Sequence, residues 1–131
     1  MADHTVVNLK DDVEDMAIKH GLSPGLESRF ARVPLALEQS GLSYFRVAPD
    51  FRTPFGHSHG EQEEVYLVTD GSVRVKIDDE VIELRSWDAV RIPPGAMRCF
   101  EGGRDGGELV AFGAPNTENK DTEMQPGWWS D

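Results

Sequence analysis

The chemistry of this chain concentrates in the run PFGHSHGEQEEVYLVTDG, from Pro54 to Gly71. His57 and His59 are separated by one residue, so on a β-strand both imidazoles leave the same face. Glu64 follows after four more residues and opens the next strand-like run, so two strands converge on one point. Two imidazoles and one carboxylate can hold Fe, Mn, Ni or Zn as a divalent ion and leave coordination positions open for another molecule. Glu63 is the neighbouring alternative. Glu64 is preferred because alternation from it places Tyr66 and Val68 on the same inner face. Alone, an HxH pair beside acidic residues is equally well read as solvated polar side chains. No nucleophile can be paired with a base: Cys99, the single cysteine, is expected to face away from the pocket as a packed thiol.

The elements that must position these residues read as all-β. Between residues 41 and 113 lie the short runs SYFRV, EVYLVTD, SVRVKI, EVIEL, AVRI, MRCF and ELVAF. Turn-type pairs punctuate them: Pro49-Asp50, Asp70-Gly71, Asp78-Asp79, Pro93-Pro94-Gly95 and Gly102-Gly103. In SVRVKI, Val73, Val75 and Ile77 face one side and Arg74 and Lys76 the other, the alternation of a half-buried strand. Arg91, between Val90 and Ile92, is expected on the outside, and Trp87 packed in a turn. Residues 1–40 read as an arm, with a short amphipathic helix from Asp11 to His20 ended by Gly21 and an edge strand from Ser28 to Leu37 broken at Pro34. Residues 114–131 read as a polar, irregular tail ending in Gly127-Trp128-Trp129, whose paired indoles need a surface to cover.

Size and charge bound the function. At 131 residues one domain, 1–131, is expected. Hydrophobic residues at 38% suit a globular protein, and no apolar run approaches the roughly 20 residues of a spanning helix. The amino end lacks the cationic and apolar regions of a secretory signal, and one cysteine permits no internal disulfide, so a cytoplasmic setting is expected. With 13 basic against 24 acidic residues and a net charge of -11, neither a nucleic acid nor a membrane is the expected partner.

Two motifs in order carry a resemblance to the cupin superfamily. His57, His59, Glu64 and Gly71 are similar to its first motif, an HxH pair, a Glu, six residues and a Gly. SWDAVRIPPGAMRCF, around Pro93 and Gly95, resembles the second. The resemblance covers roughly half of the chain, the barrel region. It implies a small double-stranded β-helix, the cupin or jelly-roll barrel, here with a short N-terminal helix and arm.

The departures carry as much information as the matches. Trp87 stands where the second motif has a Gly, Gly102 where an Asn is expected, and Arg98 where the family places a fourth, histidine ligand. A guanidinium keeps its protons and offers no lone pair to a metal. Two arrangements follow. In one, His57, His59 and Glu64 hold a divalent metal, Arg98 fixes a small anionic ligand, and Tyr66 and Phe100 line the pocket; isomerase, dioxygenase and lyase chemistry are all implied by the resemblance, and no catalytic residue is singled out. In the other, Arg98 pairs with Glu64 in a metal-free binding or structural module. Edge strands in an open barrel, and the habit of the resembling family, point to a homodimer.

Overall fold

The computed structural model describes residues 2–131. Its elements in chain order are α1 (Met16–Lys19), β1 (Leu26–Phe30), β2 (Gly41–Val47), β3 (Phe55–His59), β4 (Glu63–Ile77), β5 (Glu80–Arg85), β6 (Ala89–Ile92), β7 (Arg98–Ala114) and β8 (Thr122–Pro126). Every strand pairing is antiparallel.

The architecture follows from two long strands that pair with each other and bend together. The first half of β4, Glu63 to Val68, pairs with the end of β7, and the second half, Val73 to Ile77, pairs with its start. Between them the register shifts at Val68/Asp70 and again at Gly71/Val73. These bulges change the phase of the inward side chains, from Tyr66 and Val68 before the bend to Val73 and Val75 after it, all four buried. One wall then runs β1-β2-β7-β4-β6 and the other β8-β3-β7-β4-β5. The space between the walls is filled by Tyr66, Val68, Val73, Val75, Ile92 and Leu109.

Asp70-Gly71 and Gly102-Gly103, expected as turns, are instead the bends inside these continuous strands. Gly71 sits at φ +66°, and a Cβ there would collide with the backbone oxygen of Gly106. The remaining turn pairs lie outside strands, and Asp78-Asp79 closes the β4–β5 hairpin.

The arm and tail differ from expectation in instructive ways. The helix shortens to Met16–Lys19, because Asp15 caps it by accepting from Ala17 N and also accepts from Ser28 N on β1. The edge strand ends at Phe30, and residues 32–36 are turns leading past Pro34. The tail is not irregular: β8 pairs with β3 over five residues, Phe55↔Pro126 to His59↔Thr122. Beyond it, Trp129 is 7% exposed, with the Arg52 guanidinium 4.0 Å above its ring, and Trp128 lies under the Lys76 ammonium at 4.6 Å. Both tryptophans therefore pack on their own chain. Trp87, by contrast, stands 73% exposed at φ +74°, so it does not pack.

Gly71→Ala is expected to destabilise the protein by about 2 kcal/mol or more, from the positive φ and the backbone collision together. Urea denaturation followed by circular dichroism checks this, and an unchanged midpoint would remove Gly71 from its role at the bend.

Candidate functional site

The HxH stretch of β3 holds its place through both neighbours in the ladder. His57 pairs with Arg98 of β7 on one side and Met124 of β8 on the other. The loop of the second motif closes over the strand end, where Gly95 N donates to the His59 carbonyl at 2.7 Å with Gly95 at φ +89°. Glu64, at the start of β4, reaches the same point from the facing strand. One ligand atom from each of His57, His59 and Glu64 lies within 4.8 Å of the others. The two imidazoles meet edge to face, centroids 5.1 Å apart at 87°, and His57 Nε2 is 3.8 Å from Glu64 Oε1.

His59 is buried, and its Nδ1 lies 3.2 Å from both Asp121 Oδ1 and Thr122 Oγ1. A carboxylate can only accept, so Nδ1 carries the proton and Nε2 presents its lone pair to the group. Burial pushes the His59 imidazole below its ordinary pKa despite the raising influence of Asp121 and Glu64, which keeps it neutral. Asp121 is itself held in place: Glu61 N and Gln62 N each donate to Oδ2 at 3.0 Å, and the Thr117 hydroxyl donates to Oδ1. Burial pushes its carboxyl up, but these donors, with His59, hold it well below the usual carboxylate range.

Glu64 is likewise ionised. Burial raises its pKa, and the nearby His57 imidazole and the Arg98 guanidinium overcome that and lower it. Arg98 is 0% exposed, and its Nη1 donates to Glu64 Oε1 at 3.2 Å. Its Nε and Nη2 have no partner among the described residues. Tyr66 is buried, and both that burial and the Glu64 carboxylate push its hydroxyl well above the ordinary value.

These residues stand at the wall of a cavity of about 780 Å³. His57, His59, Glu64, Tyr66 and Phe100 all line it, but Arg98 does not. The guanidinium is sealed behind Glu64, where the spacing alone had left open that it would reach into the pocket. Cys99 is buried and packed 3.0 Å from Thr53 Oγ1, with burial raising its pKa. It nevertheless borders the cavity, because Thr53 and Pro54 cover that face of β7 and line the same space. Arg91 is on the outside, as expected, 3.3 Å from Glu63. Asp121 and Thr122 had no signal in the sequence: only the pairing of β8 with β3 brings residues some sixty positions away onto His59.

The donor set fits a divalent cation: two imidazoles, one of them fixed in the ligating tautomer, and one ionised carboxylate converge on an accessible cavity. The two unpartnered nitrogens of Arg98 oppose it, as a fixed positive charge one contact away from the carboxylate.

No family model and no curated protein matches the sequence. Solved structures do match in fold. The structure of KdgF from Halomonas sp. is 15% identical with a TM-score of 0.69, over 90% of this chain and 98% of that one. A cupin protein from Bacteroides fragilis is 23% identical with a TM-score of 0.71, over 89% and 88%. A variant of the oxalate decarboxylase of Bacillus subtilis is 21% identical with a TM-score of 0.69, over 91% of this chain and 33% of that longer one. The chain therefore has the cupin fold, and its His-His-Glu group is compatible with metal binding.

A carboxylate whose pKa is lower in the fold than in the unfolded chain stabilises the fold above the unfolded value, and this contribution is lost as the pH falls toward the folded one. Asp121→Asn is therefore expected to cost about 1–3 kcal/mol at pH 7. The gap from the native protein should narrow as the pH drops below about 4. Urea midpoints measured from pH 7 to pH 3 decide it; a gap that stays constant would remove the ionised carboxylate from the account.

Proposed function

We propose that the protein binds a divalent metal ion through His57, His59 and Glu64 and uses it to hold a small molecule in the cavity. The observation that carries this is the orientation of His59. The Asp121 carboxylate and the Thr122 hydroxyl engage Nδ1, which aims the free nitrogen at His57 and Glu64. Such an outer carboxylate is a recurrent support of metal-bound histidine. A bound ion of the Fe, Mn, Ni or Zn class supplies Lewis acidity or an oxygen-binding centre. Glu64 supplies the negative charge, and Arg98 balances part of it from behind, acting as a countercharge and not as an anchor for an anionic ligand. Tyr66 stays protonated beside Glu64 and keeps a hydroxyl donor at the inner end of the cavity.

A second reading has its own observation. Arg98 already donates to Glu64, so the guanidinium can stand in place of a cation and leave a metal-free binding module. Metal analysis of protein purified without a nickel column or chelator separates the two. The metal reading expects close to one equivalent bound or taken up on adding Fe(II), Mn, Ni or Zn. It also expects affinity lowered about 10–100-fold by Asp121→Ala, whose carboxylate only supports a ligand. No stoichiometric uptake of any of the four ions would leave the metal-free module.

The homodimer belongs to the same proposal. On the outer face, Arg91, Val65 and Phe112 fall in one row across β6, β4 and β7, and Leu67 and Val110 in the next. Phe112 is 49% exposed there, which a second copy would cover. Light scattering is expected to give about twice the 14.6 kDa of the chain, and Phe112→Glu to return it to that value. A native mass already at 14.6 kDa would refute the dimer. No helix among the described residues is long and apolar enough to cross a membrane. With its lone buried cysteine, the protein is proposed to work in the cytoplasm.

A further inference from the structure

The cavity has a lengthwise order. Phe30, 49% exposed, stands at the open end, followed by Phe45, Phe100 and Tyr66, and Tyr66 leads to Glu64 at the inner end. The rings meet edge to face: Phe30–Phe45 at 5.8 Å and 81°, Phe45–Phe100 at 5.2 Å and 62°, Tyr66–Phe100 at 6.0 Å and 90°. All four line the cavity, so the ladder is exposed to whatever enters.

The wall is apolar in its larger part, and two of its polar side chains beside the site are already engaged. Thr53 gives its hydroxyl proton to the Phe100 carbonyl at 3.1 Å, and the Gln62 amide donates to the Pro115 carbonyl at 3.2 Å. Among the described residues, Arg32 is the one Lys or Arg of the cavity wall, and it lies on the loop after β1, away from Glu64. A ligand carrying several anionic groups would meet the Glu64 carboxylate at the inner end, whose charge Arg98 balances only in part and from behind, with no guanidinium facing the cavity there. A ligand covered in hydroxyls would lay them on phenyl rings and forfeit their hydration.

We propose that the cavity takes a small molecule with an aromatic-ring body and a single oxygen-donor head group. The ring lies against Phe45 and Phe100, where edge-to-face contact favours an aromatic over a saturated ring of the same size. The head reaches His57, His59 and Glu64; this half rests on the metal reading, whereas the ring half does not.

Three hydroxamates with one head and different bodies test it: benzohydroxamate, cyclohexanecarbohydroxamate and acetohydroxamate, titrated calorimetrically into zinc-loaded protein. The phenyl compound is expected to bind about tenfold more tightly than the methyl one and several-fold more tightly than the cyclohexyl one. Phe45→Leu should shrink the phenyl advantage without changing acetohydroxamate affinity. Phe30→Ala, at a half-exposed position that tolerates truncation, should do so in smaller degree. Equal affinities, or a cyclohexyl compound that binds as well as the phenyl one, overturn the proposal while leaving the metal reading intact. If the protein holds no zinc, ligand-observed NMR on the metal-free form decides the ring half: a retained phenyl preference supports it and ends only the metal reading. Absence of binding by all three probes in both forms overturns it.

Discussion

The structure depends on one constraint, that β4 and β7 stay hydrogen-bonded to each other while both change direction. Two separate strands in each place would close two separate hairpins. A shared bend keeps one ladder running through both walls, and every other strand is added to one half or the other of this pair. The bend needs a residue without Cβ where the chains cross, which Gly71 supplies opposite the Gly106 backbone. It also needs an odd number of positions along each strand between the two limbs, from Val68 to Val73 on β4 and from Gly102 to Leu109 on β7, so that hydrophobic side chains remain inside on both limbs. The same ladder puts Glu64 at the start of β4 on one wall and Arg98 at the start of β7 on the other, so the electrostatics of the pocket are a product of the fold's main joint.

Within that frame, the Glu64–Arg98 pair sets the character of the site. A guanidinium with no access to water would be costly by itself, and the Glu64 carboxylate offsets part of that cost while two of its nitrogens remain without acceptors. The pair leaves a carboxylate whose charge is partly neutralised from behind and whose front faces a mainly apolar cavity. A histidine at position 98 would have offered a lone pair to the same centre; the arginine withdraws that ligand and adds a positive charge one contact farther out.

Much of this was legible in the sequence because it is local. The HxH pair, Glu64 and the alternation through Tyr66 and Val68 lie within one short run, and period-two spacing alone assigns them one face. The turn chemistry of Asp78-Asp79 and Pro93 to Gly95 was equally readable. Asp70-Gly71 and Gly102-Gly103 were misread as turns because a glycine at a bulge and a glycine at a turn satisfy the same backbone need, and only the partner strand distinguishes them. Arg98 was placed at the right point of the fold, yet whether it faced the cavity or sat behind Glu64 depended on packing. Asp121 and Thr122 were invisible, since nothing in a polar tail marks which acid will meet an imidazole across the sheet. Trp87 failed for a different reason: its left-handed backbone serves the β5–β6 turn, and its side chain is left in solvent.

The contact between His59 and Asp121 spans 62 positions of sequence, and the Thr122 contact spans 63. Closing a contact of such span costs chain entropy, which the five-residue ladder between β3 and β8 must offset. The segment that fixes the imidazole's proton on Nδ1 is therefore the start of β8 and the residue before it, far from β3 in sequence. The hydrophobic interior draws no residue from β8, whereas the orientation of the His59 ring rests on that segment. The geometry of the pocket and the packing of the core are thus carried by different parts of the chain.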